Sequence, residues 1–398
     1  MTLPTVTFPT VGVIGAGQLA RMMVPPAIDL GISLSLFAAS PEDSGAQVTP
    51  HVVGDLNDTE AVCKWARSCD VVTFEHEQVP QKLIIALQEE GITVFPSASA
   101  FSYSQNKLLM RQKIAELQLP NPRWQIFTEE ISQADIAIPF PLIAKSITGG
   151  YDGRGVFVLN TFDELITLHQ RMTAEQNKNI GAHIDPVVVE LLIEEQLNFD
   201  YELSVMVARS PHGQAATWAP TLTVQRDGIC LQTITPIPDI SNELSERISH
   251  IALSIAQGID LVGVMAVEMF VVGEALIINE LALRPHNSGH WSIEGSVTSQ
   301  FEQHLRAVLD LPLGDTKMLA PVAVMGNLIG IETEKSGDLY RPYLHLMARI
   351  PDLKIHQYMK ELRPGRKVGH VTLLGDDLLH LSTEVTHAVD YLMGAIDE

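Results

Sequence analysis

The chain has 398 residues, 46% of them hydrophobic and 19% charged, the make-up of an ordinary folded protein with room for two or three domains. Lys plus Arg number 26 against 48 Asp plus Glu, a formal charge of −22, and such a field repels phosphate backbones and anionic lipid. Nucleic acid and membrane surfaces are therefore excluded as expected partners, and any small anionic substrate must be held by local clusters of Arg, His and backbone N–H. Cys63, Cys69 and Cys230 show neither a paired framework nor metal spacing, which suits a reducing compartment. The segment MTLPTVTFPT lacks a basic stretch followed by an apolar one, and no apolar run reaches membrane-spanning length, so a cytoplasmic location is expected.

Up to about residue 100 strands and helices alternate. VGVIG, a helix from Gln18, SLSLFA, the helix TEAVCKWARS, DVVTFE, the helix QKLIIALQEEG and TVFP predict a mainly parallel sheet covered by helices. Pro25 and Pro26 remove two intrahelical donors, which predicts a kink or restart in the first helix. The turn Gly15-x-Gly17-x-x-Ala20 has the spacing that brings backbone N–H groups against a phosphate at a helix N-terminus. A nicotinamide dinucleotide also needs an acid at the end of the second strand, but that strand ends Leu36-Phe37-Ala38-Ala39-Ser40, with Glu42 and Asp43 only beyond Pro41. Two readings stay open there: a tight packing turn, and a site for another phosphate-bearing ligand. The third strand ends Thr73-Phe74-Glu75-His76-Glu77, which places acids at the edge where open α/β sheets bind ligands.

A helix from about Gln105 to Leu117 is closed by Pro120-Asn121-Pro122. Strand PLIAKS then leads through Gly149, Gly150, Gly153 and Gly155 into strand VFVL, helix FDELITLHQRM and strand VVVELLI. Four glycines in so short a loop allow its N–H groups to fold over phosphates, with Lys145 as a fixed charge at the strand edge. This is not a Walker loop, because Gly-Lys-Ser/Thr is missing.

Further along, ELSVMVAR, ATWAPTLTVQ and ICLQTITP read as strands, ELSERISHIALSIAQG as a helix, and VMAVEMFVVGEALIINE as a hairpin. With the hairpin turn centred on Glu274, Glu268 lies opposite Glu280 on the same face. Like charges that close raise one pKa unless a cation sits between them. Asn279 and Asn287 offer further oxygens, and oxygen donors indicate Mg²⁺ or Mn²⁺. Two solvated acids on an exposed hairpin are the simpler alternative. The run Arg284-Pro-His286-Asn287-Ser288-Gly289-His290-Trp291 leaves the strand of Glu280, so its Arg and His are placed to hold an anionic substrate, although a loop-capping role fits His290 equally. Residues 320 to 398 form a small mixed segment whose basic cluster, Lys360 to His370, is either a solvated loop or a phosphate clamp.

Taken in order, Lys107, Lys145, the glycine loop, EEQLNFDYE, Glu268, Glu280 and RPHNSGHW resemble the ATP-grasp superfamily. GAGQLARM, TFEHEQV, GGYDGRG, NELALRPHNSGHW with TSQFEQHLRA, and RPGRKVGH cover nearly the whole chain and resemble the 5-(carboxyamino)imidazole ribonucleotide synthase family of purine biosynthesis. The resemblance implies a mixed α/β and α+β chain. Residues 1–104 would form a Rossmann-like pre-ATP-grasp domain, 105–319 an ATP-grasp domain with its lid at about 123–195, and 320–398 a small C-terminal domain.

The implied activity is ATP- and bicarbonate-dependent carboxylation of 5-aminoimidazole ribonucleotide through carboxyphosphate, with release of ADP and phosphate. The resemblance further implies that Lys107, Lys145, Gly150, Tyr151, Asp152, Gly153, Glu194, Glu195, Leu197 and Glu202 bind ATP, and that Glu268 and Glu280 hold Mg²⁺. Gln18, Glu75, Tyr151, Arg154, Arg284, His286, Asn287, Ser288, Lys360 and Arg366 would line the ribonucleotide site, with Arg284, Asp152 and Lys145 acting on the reacting groups. A homodimer and a functional link to the mutase that follows in the pathway are also implied. Leu283 stands where the family usually has proline, and Pro25-Pro26 is a second departure. The competing expectations are another carboxylating or formyl-transferring ATP-grasp ligase, a nicotinamide dehydrogenase, and a catalytically silent ATP-binding regulator.

Overall fold

The structure is a computed structural model and describes residues 8–149, 155–178, 189–226, 228–331 and 340–396. The N-terminal alternation folds into a four-stranded parallel sheet in the order His51–Val53, Ser33–Ala38, Thr10–Ile14, Val71–Phe74. Ile14 and Phe74 are neighbours in register, so the glycine turn after one strand and Glu75-His76-Glu77 after the other emerge side by side. The short strand His51–Val53 was not expected from sequence. The expected strand TVFP is reduced to a single parallel bridge between Val72 and Val94.

The first helix, Gln18–Asp29, does not restart at its prolines. Pro25 faces solvent, and the helix runs from Gln18 to Asp29 through both prolines. The helix Thr59–Ala66 is capped by Asp58, and Gln81–Glu89 follows Pro80. The helix expected near 105–117 is present as Lys107–Glu116, with Asn106 capping it through Leu109 N, and a further helix that was not expected, Ala98–Gln105, precedes it.

Four antiparallel strands, ordered Trp124–Phe127, Leu191–Glu195, Leu142–Ser146, Val156–Leu159, form a separate sheet. The helix Phe162–Lys178 covers it, packing Leu165 and Leu168 against Phe127, Leu142 and Ile193.

The third sheet is the largest, with nine antiparallel strands. It runs Ala275–Ala282, Gly263–Val272, Tyr201–Arg209, Thr221–Arg226, Ile229–Thr235, Val322–Ile329, Lys367–Gly375, Lys354–Gln357, with Ala215–Thr217 paired beside Tyr201–Arg209. The segment ATWAPTLTVQ thus gives two strands, interrupted where Trp218 turns inward to bond Thr298 O. The small C-terminal module is present as expected, but its strands continue the central sheet.

One face of Gly263–Val272 sends Met265, Val267, Met269 and Val271 into a core shared with the first unit. The helix Asn242–Gly258 covers that core with Ile248, Ile251, Ala252, Ile255 and Ala256, the i, i+3, i+4, i+7 stripe of an amphipathic helix. The opposite face carries Val264 and Ala266 into a second cluster with Trp218, Trp291 and Met325. Glu268 lies on this second face.

Candidate active site

Glu268 and Glu280 are paired in register across the hairpin, as the sequence suggested, but for a different reason. The turn is Gly273-Glu274 between Val272 and Ala275, and the pairing slips by one residue between Glu268 and Met269, leaving Asn279 as an unpaired bulge. Leu276 and Ile278 point into the shared core, and beyond the bulge so does Leu281. Without the extra residue Glu280 would continue the phase of Leu276 and Ile278 into apolar packing. The bulge re-aims it to the side of Glu268, a recurrent use of bulges beside functional sites.

Burial and the neighbouring Glu280 and Glu202 push the Glu268 carboxyl up to about 8. A quarter of its side chain still meets solvent, so a cation has access. Lys107 Nζ lies 3.2 Å from Glu280 Oε1. Lys107 is held there because its N–H bonds Ile147 O and its helix begins at Asn106.

Lys145 is almost fully buried, and its Nζ is 2.7 Å from Glu194 Oε2 and 3.3 Å from Asn279 Oδ1. Burial lowers its pKa, with Glu194 working in the opposite direction. For Glu194, burial favours the neutral acid, but Lys145 and Arg111 outweigh it and hold the carboxyl down to about 2. Arg111, 1% exposed, donates to Glu194 Oε1 at 2.6 Å, Ile278 O at 2.7 Å and Asn279 O at 2.9 Å.

These contacts place several of the expected site residues. Glu194 was expected among the ATP-binding residues; its carboxylate turns inward to Lys145 and Arg111. Strand alternation sends Glu195 the other way, where it pairs with Arg123 at 2.8 Å and lines, with Leu197, a depression of about 290 Å³. Asn279 Oδ1 already accepts from Lys145. Asn287 and Asn327 exchange reciprocal amide bonds of 2.8 and 2.7 Å, so neither expected extra oxygen is turned to the acid pair. Ser288 is 2% exposed and donates to Ser204 Oγ at 2.8 Å, which places it beneath the site. Glu202 accepts from Gln225 at 2.7 Å, and burial raises its pKa. Gly150, Tyr151, Asp152, Gly153 and Arg154 lie outside the described residues.

The run after Glu280 is anchored from several sides. Arg284 Nε is 2.7 Å from Glu77 Oε1 of the first unit. His286 Nε2 lies 3.4 Å from Glu268, and Gln300 clamps this residue's backbone N–H and carbonyl at 2.7 and 2.8 Å. Gln300 also donates to His290 Nδ1 at 2.9 Å. Burial drives both histidines well below the ordinary imidazole value, so they are neutral. His290, whose capping role was left open, is a buried support whose ring centroid lies 4.9 Å from that of His370 in a tilted arrangement.

On the far side of Glu77, Glu75 accepts from Gly17 N at 2.7 Å and Ala20 N at 3.5 Å. The N–H groups that a dinucleotide phosphate would need therefore face a carboxylate of the same chain. A cavity of about 610 Å³ opens here, lined by Gln18, Glu75, Lys360, Arg363 and Arg366 among others. Lys360 Nζ hydrogen-bonds Gln18 Oε1, joining the C-terminal basic cluster to the first helix. Ser44 Oγ donates to Tyr358 O at 2.5 Å and Gln47 Nε2 to Met359 O at 3.1 Å, so two first-unit side chains hold the loop that carries Lys360.

Sequence reasoning missed Arg111 and Ser44, and it placed Glu77 at the sheet edge without its partner Arg284. Arg111 left one readable signal, a basic residue four after Lys107 on the helix face that buries Met110 and Ile114. Ser44 left none, because its partner is a backbone carbonyl more than 300 residues away.

The acid pair fits a hard divalent cation that arrives with a polyphosphate. Among the described residues no group of three or more His, Cys, Asp and Glu side chains could hold a metal alone, and Mg²⁺ is commonly bound by one or two carboxylates together with substrate phosphates. Among the same residues no helix is long and apolar enough to cross a membrane.

Three family models match the chain: the ribonucleotide synthetase preATP-grasp domain over residues 8–105, the ATP-grasp domain over residues 112–301, and the phosphoribosylaminoimidazole carboxylase C-terminal domain over residues 323–383. The chain is 42% identical over 388 residues to the N5-carboxyaminoimidazole ribonucleotide synthase of Mycobacterium tuberculosis, covering 96% of this chain and 88% of that protein. Against the Synechococcus elongatus protein of the same name it is 38% identical, covering 91% and 89%. Its fold is similar to the N5-carboxyaminoimidazole ribonucleotide synthetase of Thermus thermophilus, with a TM-score of 0.82, 32% identity and coverage of 98% and 99%. The Aspergillus clavatus synthase in complex with ADP and 5-aminoimidazole ribonucleotide matches with a TM-score of 0.82, 30% identity and the same coverage.

Proposed function

The chain belongs to the N5-carboxyaminoimidazole ribonucleotide synthase family of ATP-grasp ligases in purine biosynthesis, and on that premise we propose how its own residues carry the reaction. ATP lies between the lid sheet and the central sheet. Lys107 and Lys145 hold its phosphates, Glu195 and Leu197 run past the base, and Glu202 takes the ribose. Glu268 and Glu280 would hold Mg²⁺, or Mn²⁺. The cation, when bound, neutralises charge on the transferring phosphoryl group.

Bicarbonate is a poor electrophile. Its oxygen attacks the γ-phosphorus, the bond to the bridging oxygen breaks, ADP leaves and carboxyphosphate forms. Lys145 and Arg284 offset the charge that develops. The exocyclic amine of the ribonucleotide then forms the new N–C bond, either with carboxyphosphate itself or with carbon dioxide released from it, and phosphate departs. To the glycine segment 149–155, with Tyr151, Asp152 and Arg154, we assign the task of keeping water from carboxyphosphate.

The ribonucleotide occupies the cavity between the first helix and the C-terminal cluster, its phosphate against Lys360 and Arg366 and its other polar groups near Gln18 and Glu75. His286, Asn287 and Ser288 support Arg284 from beneath. The observation that carries this reading is a chain of contacts: His286 beside Glu268, Arg284 on Glu77, and Glu75, two residues before Glu77, in the lining of the basic cavity. Domain boundaries near residues 104 and 319, a cytoplasmic homodimer and a functional link to the next mutase belong to the same proposal.

The test is ¹³C-labelled bicarbonate with Mg-ATP and the ribonucleotide, followed by carbon NMR. A carbamate resonance that requires all three reactants supports the assignment, and none above a no-enzyme control removes it.

A further inference from the structure

Arg111 sits apart from every proposed ligand contact, yet its guanidinium meets three separate parts of the site. Through Nη1 and Nη2 it donates to Ile278 O and Asn279 O, the two carbonyls at the hairpin bulge. Through Nε it donates to Glu194, whose second oxygen holds Lys145. Asn121 braces the residue twice, accepting from the guanidinium Nη1 at 3.4 Å and donating to Arg111 O at 2.9 Å. A bulge leaves backbone groups without ladder partners, and buried carbonyls need donors. The planar fork of arginine presents several donors in fixed directions, which the single ammonium of lysine cannot copy.

We propose that Arg111 is the positioning residue that fixes the cation carboxylates and the phosphate lysine relative to each other. It stabilises the bulge that turns Glu280 toward Glu268, and through Glu194 it sets the height of Lys145 on the lid sheet. The same side chain thereby ties the lid strand Leu191–Glu195 to the hairpin strand Ala275–Ala282, so cation and nucleotide binding are coupled through one guanidinium. This inference rests on Glu268 and Glu280 being the cation site.

The experiment is Mn²⁺ binding to wild type, Arg111→Lys and Glu280→Gln, read by electron paramagnetic resonance in the presence of ADP, together with KM values for ATP and for the ribonucleotide. Arg111→Lys keeps the charge but loses the fork. Its Mn²⁺ affinity should fall about tenfold, the scale for removing a group that orients metal ligands. Its KM for ATP should rise together with this loss, while its KM for the ribonucleotide stays within about twofold. A merely structural arginine would lower the melting temperature and leave both KM values alone.

If Arg111→Lys fails to fold, Asn121→Ala loosens the same guanidinium more gently and should still weaken Mn²⁺ binding. Wild-type Mn²⁺ affinity and KM for ATP in a folded Arg111→Lys, or, where that variant does not fold, in Asn121→Ala, overturns the proposal. Wild-type Mn²⁺ affinity in Glu280→Gln overturns the cation assignment instead, so the two failures are distinguishable.

Discussion

Glu268 stands opposite Glu280 in register, and this pairing depends on the single bulged residue Asn279 between Glu280 and Ile278. The two carboxylates share one face, with Lys107 3.2 Å from Glu280, while Lys367 and Arg284 only partly offset the burial of Glu268. Burial and the neighbouring acids therefore push Glu268 up to about 8, and its ionisation becomes a measure of cation binding.

At neutral pH the free protein keeps a proton on Glu268, and a cation must displace it. Cation affinity should thus rise with pH by up to about tenfold per unit below pH 8 and level off above it. The folded value lies above the unfolded one, so for the free protein this group's contribution to stability is full below about pH 4 and is lost as pH climbs through 8. Calorimetric Mn²⁺ titrations with ADP, in buffers of different ionisation enthalpy, should report close to one proton released at pH 7. A pH-independent affinity between pH 6.5 and 8.5 would contradict the shift.

Glu280→Gln should abolish ATP turnover and leave folding intact, because Glu280 lies at the partly solvated mouth of the site with 42% of its side chain exposed. Steady-state ADP release and the thermal melting curve together check this. Retained turnover removes Glu280 from the cation site.

Ser44→Ala removes the donor to Tyr358 O and loosens the loop carrying Lys360. A lost buried hydrogen bond costs about 1 kcal/mol of stability. The catalytic signature should be a KM for the ribonucleotide raised several-fold while the KM for ATP is unchanged. Equal effects on both would place the Tyr358–Lys360 loop outside the ribonucleotide site.

Gly17→Ala should disturb the same site from the other side. A Cβ at Gly17 would lie 2.4 Å from Glu75 Oε1, so the carboxylate must leave the N–H groups of Gly17 and Ala20. The expected result is a loss of about 1 to 2 kcal/mol in denaturant unfolding, with weakened ribonucleotide binding and unaltered ADP binding. Unchanged ribonucleotide binding would show that Glu75 has no part in that cavity's shape.

Much of the site was legible because it depends on local pattern. The glycine turn, the acids after the third strand, Lys145 at its strand edge and the hairpin acids all sit where strand and turn chemistry put them. The Glu268–Glu280 pairing was reached with the turn centred half a residue late, a one-residue register offset that the Asn279 bulge cancels. The spacing of Leu276, Ile278 and Leu281 carries the phase change and could have revealed it. What stayed hidden depends on distant segments. Nothing local says that Val322–Ile329 pairs with Ile229–Thr235, that Arg111 answers the carbonyls of residues 278 and 279, or that Ser44 holds Tyr358. Of the two outcomes expected at Pro25-Pro26, a kink or a restart, the restart does not occur, since the helix is continuous from Gln18 to Asp29.

The most direct measurement is ADP release from Mg-ATP and bicarbonate, with and without 5-aminoimidazole ribonucleotide. The account predicts strong stimulation by the ribonucleotide, requiring bicarbonate and lost in Glu280→Gln. ADP release that is indifferent to the ribonucleotide would contradict the assignment of the cavity between Gln18 and Lys360 and of the reaction it serves.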